Sequence, residues 1–298
     1  MKYFDREWVP WTTKPGQKLV SLDQRLLTEP LRWRKSQIVL VPYVFDQRLS
    51  NTELDKIFAA MALAPRHRFL LVTEMPVQAT HYFRQRMVRP GDIWPKEVWE
   101  QMHNIVHSTR QSWPTPTTTK WPLENVGIGV RAGAQFAIDN RVPPLLTVPA
   151  AFRFLYAMPL VEEVDVHAYL HLKQGVGVPY RVLVDDALAE AGPRLDWIVA
   201  GGSEHCSVKL PWLRFLALQA RCAGIPLRFT MLGPNPTGDE FDCDECHGKG
   251  WHTVDDKQRK CVCRTSQGRP IKSPHGTLVA DFPQDLRIFQ FIGEKVTS

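Results

Sequence analysis

The feature that most constrains this chain is a series of short, continuous apolar runs separated by helix-period segments. The runs are 37–44 (QIVLVPYV), 68–73 (RFLLVT), 126–130 (VGIGV), 151–158 (AFRFLYAM), 196–201 (DWIVAG) and 226–232 (PLRFTML). A strand covered on one face alternates apolar and polar residues, whereas a strand buried on both faces does not. Between the runs lie segments with apolar residues at three- and four-residue steps. One is capped at Asn51 or Thr52 and carries Leu54, Ile57, Phe58 and Met61 on one face. Others start at Pro76, at Pro95 (with Val98, Trp99, Met102, Ile105 and Val106 as the stripe), near Gln135, and at Pro211, the last stopped by Gly224. Six buried strands, mostly alternating with helices, argue for a parallel sheet with helical crossovers. A barrel and an open doubly wound sheet fit this pattern equally. Both put a site beyond the C-terminal strand ends.

The expected organisation is an N-terminal arm at 1–36 packed on the body, a (β/α) body at 37–233, a cysteine-bearing segment at 234–272 and a tail at 273–298. A hairpin near 175–180 and a helix at 185–191 are further expectations. The chain has 298 residues, a formal charge of +6 and a pI near 9.0. That balance permits an anionic partner such as nucleic acid without requiring one. The basic clusters at 32–35, 66–68 and 257–260 read first as solvated faces. The N-terminus has no apolar signal core and no run approaches a membrane span. The expectation is therefore a cytoplasmic protein, away from membranes, with reduced cysteines.

Four of the six cysteines fall within 241–264, FDCDECHGKGWHTVDDKQRKCVCR. Cys243 and Cys246 form a C-x-x-C, and Cys261 and Cys263 a C-x-C. A segment so poor in apolar residues cannot order itself by burial. Tetrahedral thiolate coordination of one Zn²⁺ supplies that ordering energy directly. Two disulfides or plain loop cysteines are the alternatives, and a reducing compartment disfavours the first. The C-x-C half is tight, so His247 or His252 is an alternative ligand. An iron–sulfur cluster on the same four thiolates is a further alternative to zinc. The run Cys243–Gly250 resembles the C-x-x-C-x-G-x-G repeats of DnaJ-type zinc domains. Such a site is structural, because four protein ligands leave no open position.

Other candidates lie after the apolar runs. Glu204, His205 and Cys206 follow the fifth, and a Cys–His pair is nucleophile-and-base chemistry. An inert packed thiol is the plainer reading of Cys206. Asp46 and Glu74 end the first two runs and are expected at the same mouth. Gly201-Gly202 admits a phosphate to the backbone, or simply makes a tight turn. Gly127-x-Gly129 and Gly175-x-Gly177 lack the full dinucleotide-binding spacing and are discounted. Cys222 is expected in a helix core.

Several phrases carry a resemblance: Glu29-Pro-Leu-Arg-Trp-Arg-Lys35, Phe58-Ala-Ala-Met-Ala-Leu-Ala-Pro65, Pro144-Leu-Leu-x-x-Pro-Ala-Ala-x-Arg153-Phe154 and Leu195-Asp-Trp-Ile-Val-Ala-Gly-Gly202. In that order they resemble a phage-associated three-cysteine-motif family of unknown function, related to radical SAM enzymes. The resemblance runs from Trp8 to Leu232 and implies a radical-SAM-like, partial TIM-barrel body. It also implies a cluster motif, Trp-Asn-Pro-Trp-Thr-Gly-Cys, near the N-terminus. Here the run is Trp8-Val-Pro-Trp-Thr-Thr-Lys14, with Lys14 at the first cysteine position and no cysteine before Cys206. A [4Fe–4S] cluster needs thiolates, so neither that cluster nor SAM chemistry is expected. The family's Thr-Lys-Arg-Pro is Thr73-Glu-Met-Pro76, its Cys-Glu-Pro-Leu is Ala157-Met-Pro-Leu160, and its Gly-Gly-Glu-Ser is Gly201-Gly-Ser-Glu204. The resulting expectation is a cluster-less, zinc-stabilised binding or partner subunit in a phage or mobile-element process. An enzyme modifying nucleotides or nucleic acid at the C-terminal mouth of the barrel, with SAM dependence one version of it, is the alternative.

Overall fold

The structure, a computed structural model, describes residues 6–12, 21–47, 49–86, 88, 94–109, 121–170, 194–233, 251–254, 257–260 and 286. The protein is a mixed α/β fold on a largely parallel seven-stranded sheet. Its strands are β1 (Arg6–Glu7), β4 (Ile38–Pro42), β5 (Arg68–Thr73), β6 (Val126–Arg131), β7 (Phe152–Ala157), β8 (Trp197–Ala200) and β9 (Leu227–Phe229), in that spatial order. The pairs β1–β4, β4–β5, β5–β6 and β8–β9 are parallel. Chain order therefore equals sheet order, as consecutive helical crossovers dictate. Two further strands, β2 (Trp11–Thr12) and β3 (Ser21–Leu22), pair antiparallel outside that sheet.

The six apolar runs are six of the seven strands. The seventh, β1, lies within the stretch read as an irregular arm and joins the edge of β4 with Arg6 opposite Val39. That stretch also holds a short helix α1 (Gln24–Leu27) and a 3₁₀ turn at Glu29–Arg32.

The contacts separate into two compact units. The first contains the described residues up to Val130 together with Arg141–Phe154. Its helices are α2 (Asn51–Ala62), α3 (Pro76–Gln85) and α4 (Lys96–Thr109), and α5 (Gln135–Leu146) contributes its C-terminal half. Ser50, rather than Asn51 or Thr52, caps α2, in a reciprocal capping box with Glu53. Phe58 stacks on Tyr82 at 5.2 Å, and Phe83, Phe45 and Trp121 close the aromatic core around that pair. Trp8 is buried, donates its indole N–H to the Leu26 carbonyl at 2.8 Å, and lies 5.5 Å from Phe69. In β6, Gly127 and Gly129 leave room for the rings of Phe152 and Phe154. A Cβ at Gly129 would sit 2.4 Å from Phe154. Packing, not a dinucleotide turn, accounts for those two glycines.

The second unit contains Arg131–Asn140 and the described residues from Leu155 onward. Its last sheet helix, α6 (Leu210–Ala223), ends at Gly224 in the left-handed region, φ 69°, as its sequence predicts. Leu213, Leu216, Ala217 and Ala220 form the buried stripe, while Cys222 is half-buried rather than in the core. Strands β10 (Trp251–Val254) and β11 (Lys257–Lys260) form a separate antiparallel hairpin with Trp251 opposite Lys260. The hairpin and helix expected between 175 and 191 lie outside the described residues. Among the described residues, no helix is long and apolar enough to cross a membrane.

Candidate functional site

In the first unit the end of β4 turns sharply. Tyr43 takes a left-handed φ of 57°, donates its N–H to the Val72 carbonyl at 2.7 Å, and receives Asp46 N–H and Gln47 N–H on its own carbonyl. This turn carries Asp46 to the end of β5. There the Thr73 hydroxyl donates to Asp46 Oδ2 at 2.6 Å and the Glu74 N–H to Oδ1 at 2.7 Å. Thr73 Oγ1 also accepts the Met75 N–H, so one hydroxyl ties the carboxylate to the first residues before α3. Glu74 Oε2 pairs with Arg141 NH2 at 2.9 Å, with both side chains about a third exposed. Burial lifts the Asp46 carboxyl above its ordinary value, against the lowering effect of its two donors, and the Glu74 charge adds to the lift.

The second unit places Gly201, Gly202, Ser203, Glu204, His205 and Cys206 in one turn after β8. Gly201 N–H donates to the Ala157 carbonyl at 3.2 Å and Gly202 N–H to the Met231 carbonyl at 2.7 Å. A Cβ at Gly202 would lie 2.6 Å from the carbonyls of both Cys206 and Leu232. Close backbone approach is thus what the second glycine serves. Ser203 closes the turn: its N–H reaches the Cys206 carbonyl at 2.7 Å, and its hydroxyl accepts the amides of His205 and Cys206. Glu204 and His205 are exposed at the tip. Cys206 is half-buried and its thiol points to the Ser207 carbonyl at 3.8 Å, not to the His205 ring.

A second polar cluster in this unit has no counterpart among the sequence expectations. Gln135, opening α5, donates its N–H to a carboxylate oxygen of Glu162 at 2.5 Å, and its side chain bridges Asp139 and the Asp165 backbone. Asp165 holds His167 Nδ1 at 2.8 Å. Tyr169 donates to Asp139 at 3.0 Å; burial, with the Asp139 hydrogen bond, pushes its hydroxyl up to about 12. These contacts brace the segment after β7 against α5, and every one is local to that brace.

Cys243, Cys246, Cys261 and Cys263, with the alternative ligand His247, lie outside the described residues. His252 lies in β10. The hairpin β10–β11 sits between the two cysteine pairs in sequence, and its register sets Lys260, which precedes Cys261, opposite Trp251. Among the described residues, no group of three or more His, Cys, Asp or Glu side chains is placed to hold a metal ion.

A largely parallel sheet with helices between most of its strands defines an α/β protein. The chain belongs to the family described as Protein of unknown function (DUF5131), which it matches over residues 3–272. No curated protein and no solved structure matches it at a significant level.

Proposed function

We propose that this chain is a zinc-stabilised binding scaffold on a partial TIM-barrel-like body, a cluster-less relative of radical SAM proteins that serves a partner in a phage or mobile-element process. One observation carries the reading. Among the described residues, several polar groups at the strand ends are committed internally: Asp46 to Thr73 and Glu74, Glu74 to Arg141, and the Gly201 and Gly202 amides to backbone carbonyls, while Glu204 and His205 stand exposed at a turn tip. Catalytic sites hold donors and bases open toward a reacting atom. Lys14, at the position where the resembled family has its first cysteine, supports the same reading. So does Glu74, which replaces a cation of that family yet now anchors one, Arg141, from α5.

The zinc part of the proposal rests on Cys243, Cys246, Cys261 and Cys263. Antiparallel pairing of Trp251 with Lys260 supports it, since pairing of the intervening chain shortens the path between the two cysteine pairs. The test of the scaffold reading is anaerobic reconstitution with iron and sulfide, followed by SAM and a strong reductant. A scaffold yields no 5′-deoxyadenosine above the protein-free control. Its formation would establish an enzyme and overturn the proposal.

A further inference from the structure

Helix α4 turns one face to the core and the other outward. Val98, Met102 and Ile105 are buried, while Trp99, His103 and His107 follow one another at four-residue steps on an exposed face. Trp99 is 48% exposed and its ring stacks on His103, with centroids 5.7 Å apart and planes at 19°. His103 and His107 have centroids 6.2 Å apart and planes at 70°.

Residues four apart on a helix are neighbours on one face, and the backbone fixes their spacing without help from tertiary structure. Two imidazoles bound to one zinc ion by Zn–N bonds of about 2.0–2.1 Å have ring centroids about 5 to 6 Å apart. The observed pair is already near that separation, so a rotamer change that exchanges present ring contacts for the ion brings one nitrogen of each ring to a common point. We infer that His103 and His107 form a bidentate surface site for an imidazole-seeking divalent transition metal, such as copper, nickel or zinc.

The donor chemistry sets the order of preference. Neutral imidazole suits these late first-row ions, with copper bound more tightly than nickel or zinc. Trp99 stacks against His103 from the preceding turn, which places an indole close to any ion that the His103 ring holds. The residue after His103 is Asn104, so the H-E-x-x-H arrangement that places a general base beside zinc is not formed. This is a binding site. Two protein ligands leave positions open, and in a scaffold those positions are available to a ligand from a partner. The site uses residues separate from the four cysteines and stands whether or not those cysteines hold zinc.

The experiment uses the full-length, untagged protein. On a nickel-charged chelating resin the wild type is expected to be retained and released by imidazole. The double variant His103→Ala/His107→Ala is expected to pass through. Each single variant loses the second, intramolecular contact and should bind about a hundredfold more weakly. Alanine is the better helix former at exposed positions, so these variants keep α4. An independent readout is copper quenching of tryptophan fluorescence. The metal-dependent part carried by Trp99, taken as the difference between wild type and Trp99→Phe, should vanish in the double variant. Equal retention of wild type and double variant, or quenching that survives removal of both histidines, would overturn the inference.

Discussion

Arg86, just past the end of α3, grips Asp55 of α2 through two parallel contacts, Nε to Oδ1 at 2.7 Å and NH2 to Oδ2 at 2.9 Å. The Tyr82 hydroxyl donates to the same Oδ1 at 2.9 Å, so three donors converge on one buried carboxylate. This pairing locks two crossover helices of the first unit. Asp55→Ala leaves a guanidinium buried without its partner and is expected to lower stability by about 3–5 kcal/mol. Replacing both partners by apolar residues, Asp55→Leu with Arg86→Met, should lose far less. Urea unfolding midpoints read the comparison, with slopes unchanged.

Gly129 faces Phe154 so closely that a methyl group would enter the ring, at 2.4 Å. Phe154 is fully buried, so its ring cannot swing out to solvent without leaving the core. Gly129→Ala should therefore destabilise the chain by about 1–3 kcal/mol through overpacking. Thermal unfolding measures this, and an unchanged midpoint would mean that the sheet relaxes around the intruding methyl.

Asp46 gives the fold a pH dependence of defined sign. Its folded-state pKa lies above the unfolded value because burial disfavours the charge. The native chain therefore holds this proton more readily than the unfolded chain does. The resulting stability is fully present below the unfolded carboxylate pKa and is lost as pH rises through the folded one. Asp46→Asn should flatten the pH dependence of the unfolding midpoint across that window. A wild-type contribution that instead grows with rising pH there would contradict the assignment.

The parts of the fold legible in the sequence are those where burial alone decides structure. Residues 68–73 and 135–146 are read as a strand and a helix from apolar pattern, and both elements have those limits. The edge strand Arg6–Glu7 was not legible, because two polar residues become a strand only by pairing with β4. Nor was the hairpin of Trp251–Val254 with Lys257–Lys260, whose second strand is wholly polar and has little intrinsic strand preference. Trp99 was read as part of the core stripe of α4. It lies on the exposed flank, since hydrophobicity does not say which edge of a stripe stays outside. Two further features are visible in the sequence itself: Ser50-x-x-Glu53, a capping box, and the four-residue spacing of His103 and His107. At the candidate site, Asp46 and Glu74 could be placed because a parallel sheet collects its strand ends. Arg141 could not, because its contact with Glu74 spans 67 residues of sequence.

At the proposed Cys₄ site, Cys243→Ser removes one of four thiolates and is expected to release zinc while the seven-stranded body stays folded. A chelating dye reads the release, and far-UV circular dichroism with the main thermal transition reads the body. Retention of stoichiometric zinc by this variant would exclude Cys243 as a ligand.

The most direct measurement for the account is the metal and labile-sulfide content of the purified protein after a brief wash with a mild chelator. The wash strips ions held only by His103 and His107. The account expects about one zinc per chain, with no iron and no sulfide, from a single closed four-ligand site. Iron together with sulfide would contradict it, giving the four C-terminal cysteines a cluster and the protein a redox chemistry that a binding scaffold does not have.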